Sequence, residues 1–103
     1  MVSFDLKDRI AIVTGASRGI GRAIAETLAE CGAEAILVSR NQKILETVAA
    51  EIREKGGRAT AMACNMGEFD QIQALFAQVK DRFGRLDILV NNAGIQHTAP
   101  LSE

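Results

Sequence analysis

Residues Thr14–Gly21 read TGASRGIG, and none of their side chains suits nucleophilic attack or proton transfer. What the stretch carries is glycine, at Gly15, Gly19 and Gly21, in a GxxxGxG spacing. A glycine turn between a buried strand and a helix points free backbone N–H groups and the positive helix end at one place. An anion binds there, usually a phosphate. Gly15 permits the tight turn. Gly19 and Gly21, lacking a Cβ, let a pyrophosphate and the neighbouring strand come close. The spacing is not the GxGxxG of the common dinucleotide fingerprint. Nor is it a P-loop, because no Lys-Ser or Lys-Thr pair follows the last glycine.

The end of the second strand selects the nucleotide. An NAD site usually places an Asp or Glu there to accept bonds from the ribose hydroxyls. This chain has Ser39, Arg40 and Asn41 instead. A carboxylate would repel a 2′-phosphate, whereas arginine pairs with it bidentately. Arg18, inside the glycine turn, reaches toward the same space. The pair predicts NADP in preference to NAD.

The elements that hold these residues alternate between strand and helix. Arg9–Thr14 (RIAIVT) is a short β-branched run suited to a strand buried on both faces. From Gly19 to Cys31 the residues Ile20, Ala23, Ile24, Thr27, Leu28 and Cys31 recur at helical spacing and predict the inward face of a helix, stopped by Gly32. Ala35–Ser39 is the second strand. Asn41 caps a helix whose predicted face is Ile44, Leu45, Val48, Ala49 and Ile52, and Gly56-Gly57 breaks it. Arg58–Cys64 is a weaker third strand. Glu68–Phe83 is a helix with Ile72, Leu75, Phe76, Val79 and Phe83 inward, and Asp87–Asn91 (DILVN) is the fourth strand. Ala93–Glu103 reads as loop.

Short βα connections imply parallel strands, right-handed crossovers and helices on both faces. The predicted class is α/β: a Rossmann-type, doubly wound parallel sheet of order 3-2-1-4, one domain over residues 1–103. The fourth strand then has an open side, and DILVN is too apolar for a finished edge. The chain is expected to be the first portion of a larger sheet, truncated after the fourth strand and prone to self-association.

Composition excludes several classes. The net charge is −1 and 24% of residues are charged, so nucleic acid and acidic membranes are not expected partners. The start, MVSFDLKDR, lacks the apolar core of a signal peptide, and no apolar run is long enough to span a bilayer. A cytoplasmic location is expected. Cys31 and Cys64 form no CxxC and read as buried free thiols, and His97 has no partner at metal-ligand spacing. The chain has no tyrosine and no tryptophan.

With the glycine turn and Asn91-Asn92-Ala93-Gly94 both in view, the sequence resembles the short-chain dehydrogenases/reductases. TGASRGIG matches that family's TGxxxGxG turn, and NNAG matches its motif after the fourth strand. The resemblance implies that Gly15, Gly19 and Gly21 hold the pyrophosphate with Ser17, Arg18 and Ile20 around it. It implies that Arg40 and Arg18 select NADP, and that Cys64 and Met66 flank the adenine. Asn65 falls where many members have an Asp that accepts a bond from the adenine amino group, and an amide carbonyl can take that role. Asn92, Ala93, Gly94 and Ile95 would border the cofactor, the NNAG asparagines also tying neighbouring strands together.

The chemistry implied is hydride transfer between the nicotinamide and a carbonyl or alcohol. A tyrosine serves as acid or base, and a lysine in the same YxxxK turn lowers its pKa. A serine and an asparagine complete the set. None of the four is here: there is no tyrosine, and Lys7, Lys43, Lys55 and Lys80 all precede NNAG. The chain alone is therefore expected to be inactive. The usual dimer helices of the parent, expected to be a homo-oligomer, would also lie beyond it. Ile95-Gln96-His97 stand where the family begins to line the substrate entrance. NNAGIQ resembles sugar-acid dehydrogenases such as gluconate 5-dehydrogenase, while TGASRGIGRAIAETLA is closer to β-ketoacyl-carrier-protein reductases. A non-catalytic nucleotide-binding or interaction module is the alternative class. A SAM-dependent methyltransferase would want an acidic residue where Arg40 stands.

Overall fold

The computed structural model describes residues 5–92. The expected loop at Ala93–Glu103, with Ala93, Gly94, Ile95 and His97, lies outside them. Seven elements alternate: β1 (Ile10–Thr14), α1 (Gly19–Glu30), β2 (Glu34–Ser39), α2 (Gln42–Glu54), β3 (Arg58–Ala63), α3 (Phe69–Phe83) and β4 (Ile88–Val90). The four strands form one parallel sheet of order β3-β2-β1-β4, as the short connections require. Register runs Ile10 opposite Glu34 and Glu34 opposite Arg58, so the three longer strands end close together.

Alternation along each strand feeds two cores. Val13, Ala35, Leu37 and Ala59 face α1 and α2, with Ala25, Ala29, Leu45, Val48 and Ile52. Ile10, Ile12, Ile36, Val38 and Met62 face α3, with Leu75 and Val79, and Ile72, Phe76 and Phe83 pack at the margin. The sheet is thus covered on both sides, the Rossmann arrangement the sequence predicts. Arg22 of α1 pairs with Glu26 and with Glu51 of α2, which joins the two helices at the surface.

One expectation is corrected. The inward face of α1 is not Ile20, Ala23, Ile24, Thr27, Leu28 and Cys31. The residues buried from α1 are Gly21, Ala25 and Ala29, while Ile20 is 65% exposed. Ile24 and Leu28 reach the core only at its edge, and with Ile20, Ala23 and Thr27 they line a shallow apolar groove. The small residues face the sheet because α1 approaches it too closely for anything larger. A Cβ on Gly21 would stand 2.1 Å from the Gly15 carbonyl oxygen. Ile44 of α2 is likewise outside the core, at 46% exposure.

The two sheet edges differ. On β3, Arg53 donates to the Ala59 carbonyl through Nε at 3.1 Å and Nη2 at 2.8 Å. The Gln42 amide donates to the Ala61 carbonyl at 3.4 Å and accepts from the Ala63 N–H at 2.9 Å, as a neighbouring strand would. Among the described residues β4 has no such cover on its outer side, and Leu89 is 51% exposed.

Candidate functional site

In a parallel sheet all carboxyl ends lie together, and the connections leaving them form a crevice. Here the crevice is built by the residues just after β1, β2 and β3. It encloses about 720 Å³ and is lined by Gly15, Ser17, Arg18, Ser39, Arg40, Asn41, Ile44, Cys64, Asn65, Met66 and Gly67. That volume suits an organic ligand of nucleotide size.

The glycine turn forms one wall. Gly15 and Gly19 adopt φ of 63° and 64°, a region that side-chain-bearing residues rarely enter. Arg18 precedes α1 in extended backbone and makes no side-chain cap, and the first turn of α1 holds no acidic residue. The other helix starts differ. The Asn41 side-chain oxygen accepts from the Ile44 N–H at 3.1 Å, and Asp70 sits in the first turn of α3. Among the described residues the amide end of α1 therefore remains open to an external anion, and none of them lies within 4 Å of the place a Gly19 Cβ would occupy.

Arg18 and Arg40 line the same crevice from separate connections. Both are exposed, and neither has an ion-pair partner among the described residues. Ser39 and Asn41 are tied locally: the Asn41 N–H donates to the Ser39 hydroxyl oxygen at 3.3 Å while the Asn41 side chain caps α2. The free cations of this wall are thus the two guanidinium groups, a donor set matched to phosphate.

The opposite wall is less polar. Cys64 is 4% exposed, its Sγ lies 3.8 Å from Met66 Sδ, and burial pushes its thiol pKa up. Asn65 and Met66 are half-buried beside it. Ile44 and Gly67 belong to this crevice too, and the sequence reading missed both. The signal for Ile44 was its place in the first turn after the Asn41 cap, where a helix leaves the carboxyl edge.

Four of the assigned residues that the structure describes lie apart from the crevice lining. Gly19 starts α1, and Ile20 lines the outer groove of that helix. Gly21 is buried against the Gly15 carbonyl and Asn92 Nδ2. Asn92 is 1% exposed and donates to the Gly15 carbonyl oxygen at 3.3 Å. Thr14 Oγ1 lies 3.3 Å from the Val90 carbonyl oxygen and 3.2 Å from Asn91 Oδ1. Asn91 and Asn92 thus tie the end of β4 to the end of β1. Among the described residues no group of acidic, histidine or cysteine side chains could hold a metal, and no helix is long and apolar enough to cross a membrane.

Comparison with known proteins agrees with this arrangement. The short chain dehydrogenase family model matches residues 9–103. The chain belongs to the short-chain dehydrogenases. It is 43% identical over 88 residues to a 3β-hydroxysteroid dehydrogenase of Mediterraneibacter gnavus, covering 85% of this chain and 32% of that protein. It is 43% identical over 90 residues to a 3-oxoacyl-[acyl-carrier-protein] reductase of Haemophilus influenzae, covering 87% and 36%. A metagenomic short-chain oxidoreductase solved in complex with NADP superposes with a TM-score of 0.79 at 42% identity, over 81% of this chain and 38% of that one. The chain spans about a third of the length of the curated relatives it matches.

Proposed function

We propose that this short-chain dehydrogenase sequence forms the NADP-binding part of an oxidoreductase that moves hydride between NADP(H) and a small carbonyl or alcohol. The observation that carries the reading is the shared crevice. Among the described residues, an uncapped helix end and two guanidinium groups without an ion-pair partner, Arg18 and Arg40, meet in it with no opposing carboxylate. The NADP complex of the metagenomic relative supports the choice of nucleotide.

Gly19, Ile20 and Gly21 would offer backbone N–H groups to the pyrophosphate, beside Gly15 and Ser17. Arg18 and Arg40 would hold the 2′-phosphate, and Cys64, Asn65 and Met66 would meet the base. Asn92, with Ala93, Gly94 and Ile95, would border the nicotinamide side. When bound, the nicotinamide supplies or takes the hydride. The proton must come from a group this sequence does not carry, because its 103 residues include no tyrosine. The chain by itself therefore binds nucleotide and turns nothing over. In the parent protein the reading expects a cytoplasmic homo-oligomer with neither nucleic acid nor membrane as partner.

An NMR titration with NADP tests this reading. Amide shifts concentrated at Ser17–Gly21 and Arg40 are expected, and no shift at these positions up to millimolar nucleotide would contradict it.

A further inference from the structure

β3 ends at Ala63, yet its ladder pattern runs two residues further, into the wall of the crevice. The Ala63 N–H donates to Gln42 Oε1 at 2.9 Å. The Cys64 N–H points the other way and donates to the Ser39 carbonyl oxygen of β2 at 2.8 Å. The Asn65 N–H points away from β2 again and donates to Gln71 Oε1 at 2.8 Å. In a sheet interior a neighbouring strand would take the two outward groups. Here two glutamines take them, one from the first residue of α2 and one from the first turn of α3.

Neither glutamine lines the crevice, whereas residues 64–67 do. Both glutamines are exposed and border a separate depression between β3 and α3. The Asn65 carbonyl accepts from the Glu68 N–H at 3.0 Å, and the Asn65 side-chain oxygen accepts from the Gly67 N–H at 2.9 Å. Those bonds close the turn on itself, while the Gln71 side chain fastens it to the first turn of α3. A wall not fastened beforehand must be ordered when a ligand arrives, and that ordering lowers affinity. Resting on the nucleotide reading above, we infer that Gln71 is a positioning residue: from outside the crevice it holds residues 64–67 in the shape the nucleotide meets.

NMR titration of the full chain with 2′,5′-ADP and with 5′-ADP tests this in the wild type, Gln71→Met and Gln71→Glu. Methionine keeps the length of the side chain and removes the acceptor. Glutamate keeps an acceptor oxygen and suits the first turn of a helix. Gln71→Met should weaken both nucleotides by about fivefold and leave the ratio between them as in the wild type, because the phosphate contacts are unchanged. Gln71→Glu should restore both to within about twofold of the wild type. Wild-type affinity in Gln71→Met, a loss confined to one nucleotide, or a loss that Gln71→Glu does not restore overturns the inference while the nucleotide reading stands. A wild type that binds neither nucleotide overturns both.

Discussion

The side-chain amide of Asn92 donates to the carbonyl oxygen of Gly15 at 3.3 Å, joining the end of β4 to the glycine turn after β1. Asn92 is 1% exposed, so its side-chain amide has no water to fall back on. Replacing Asn92 with Asp sets an acceptor against an acceptor in a buried place. Asn92→Asp should lose about 2–3 kcal/mol of stability by urea denaturation at neutral pH. An unchanged midpoint would show that the turn does not depend on this contact.

The glycines of the turn should respond differently to alanine. A Cβ at Gly21 meets the Gly15 oxygen at 2.1 Å and Asn92 Nδ2 at 2.6 Å, and backbone cannot rotate away. Gly21→Ala should cost about 3 kcal/mol. A Cβ at Gly19 meets nothing within 4 Å, so only its φ of 64° opposes the change, at about 1 kcal/mol. Gly19→Ala should keep the fold in a denaturant melt yet weaken nucleotide binding, because its methyl enters the open space before α1.

Acid should loosen the β1–β4 pair. The Arg85 guanidinium, hydrogen-bonded at 2.6 Å, holds the Asp87 carboxyl below the usual carboxylate range. The Ile10 N–H at 2.8 Å and Arg9 at 3.6 Å add to this. A lowered folded-state pKa gives stability that is complete above the unfolded value of about 3.9 and is lost as pH falls through the folded value. Urea midpoints of the wild type should fall below pH 4 more steeply than those of Asp87→Asn. Parallel pH profiles would remove Asp87 from the account.

The edge of β4, uncovered among the described residues, should make the chain self-associate. Leu89 is 51% exposed there, while Arg53 and Gln42 occupy the corresponding groups of β3. Charged residues blunt strand edges. Sedimentation velocity should show concentration-dependent association of the wild type that Leu89→Lys reduces. A wild type that stays monomeric throughout would contradict the expectation.

Much of this was legible from residue order because it depends on local pattern. Short apolar runs between glycines gave the strands, and Asn41 gave the start of α2. The burial of α1 was not legible in that way. Periodicity finds the largest side chains, and the sheet contact is made by the smallest, Gly21, Ala25 and Ala29. Only the distance between α1 and β1 reveals which stripe turns inward.

The central claim is that the crevice at the carboxyl edge recognises a 2′-phosphorylated adenosine through Arg18 and Arg40. Calorimetric titration of 2′,5′-ADP against 5′-ADP measures it most directly. Two partly exposed charge-assisted contacts at about 1–2 kcal/mol each predict a preference of roughly 30- to 1000-fold for 2′,5′-ADP. Arg40→Asp should erase or invert it. Equal affinity of the wild type for the two nucleotides, or a preference that survives Arg40→Asp, would contradict the account.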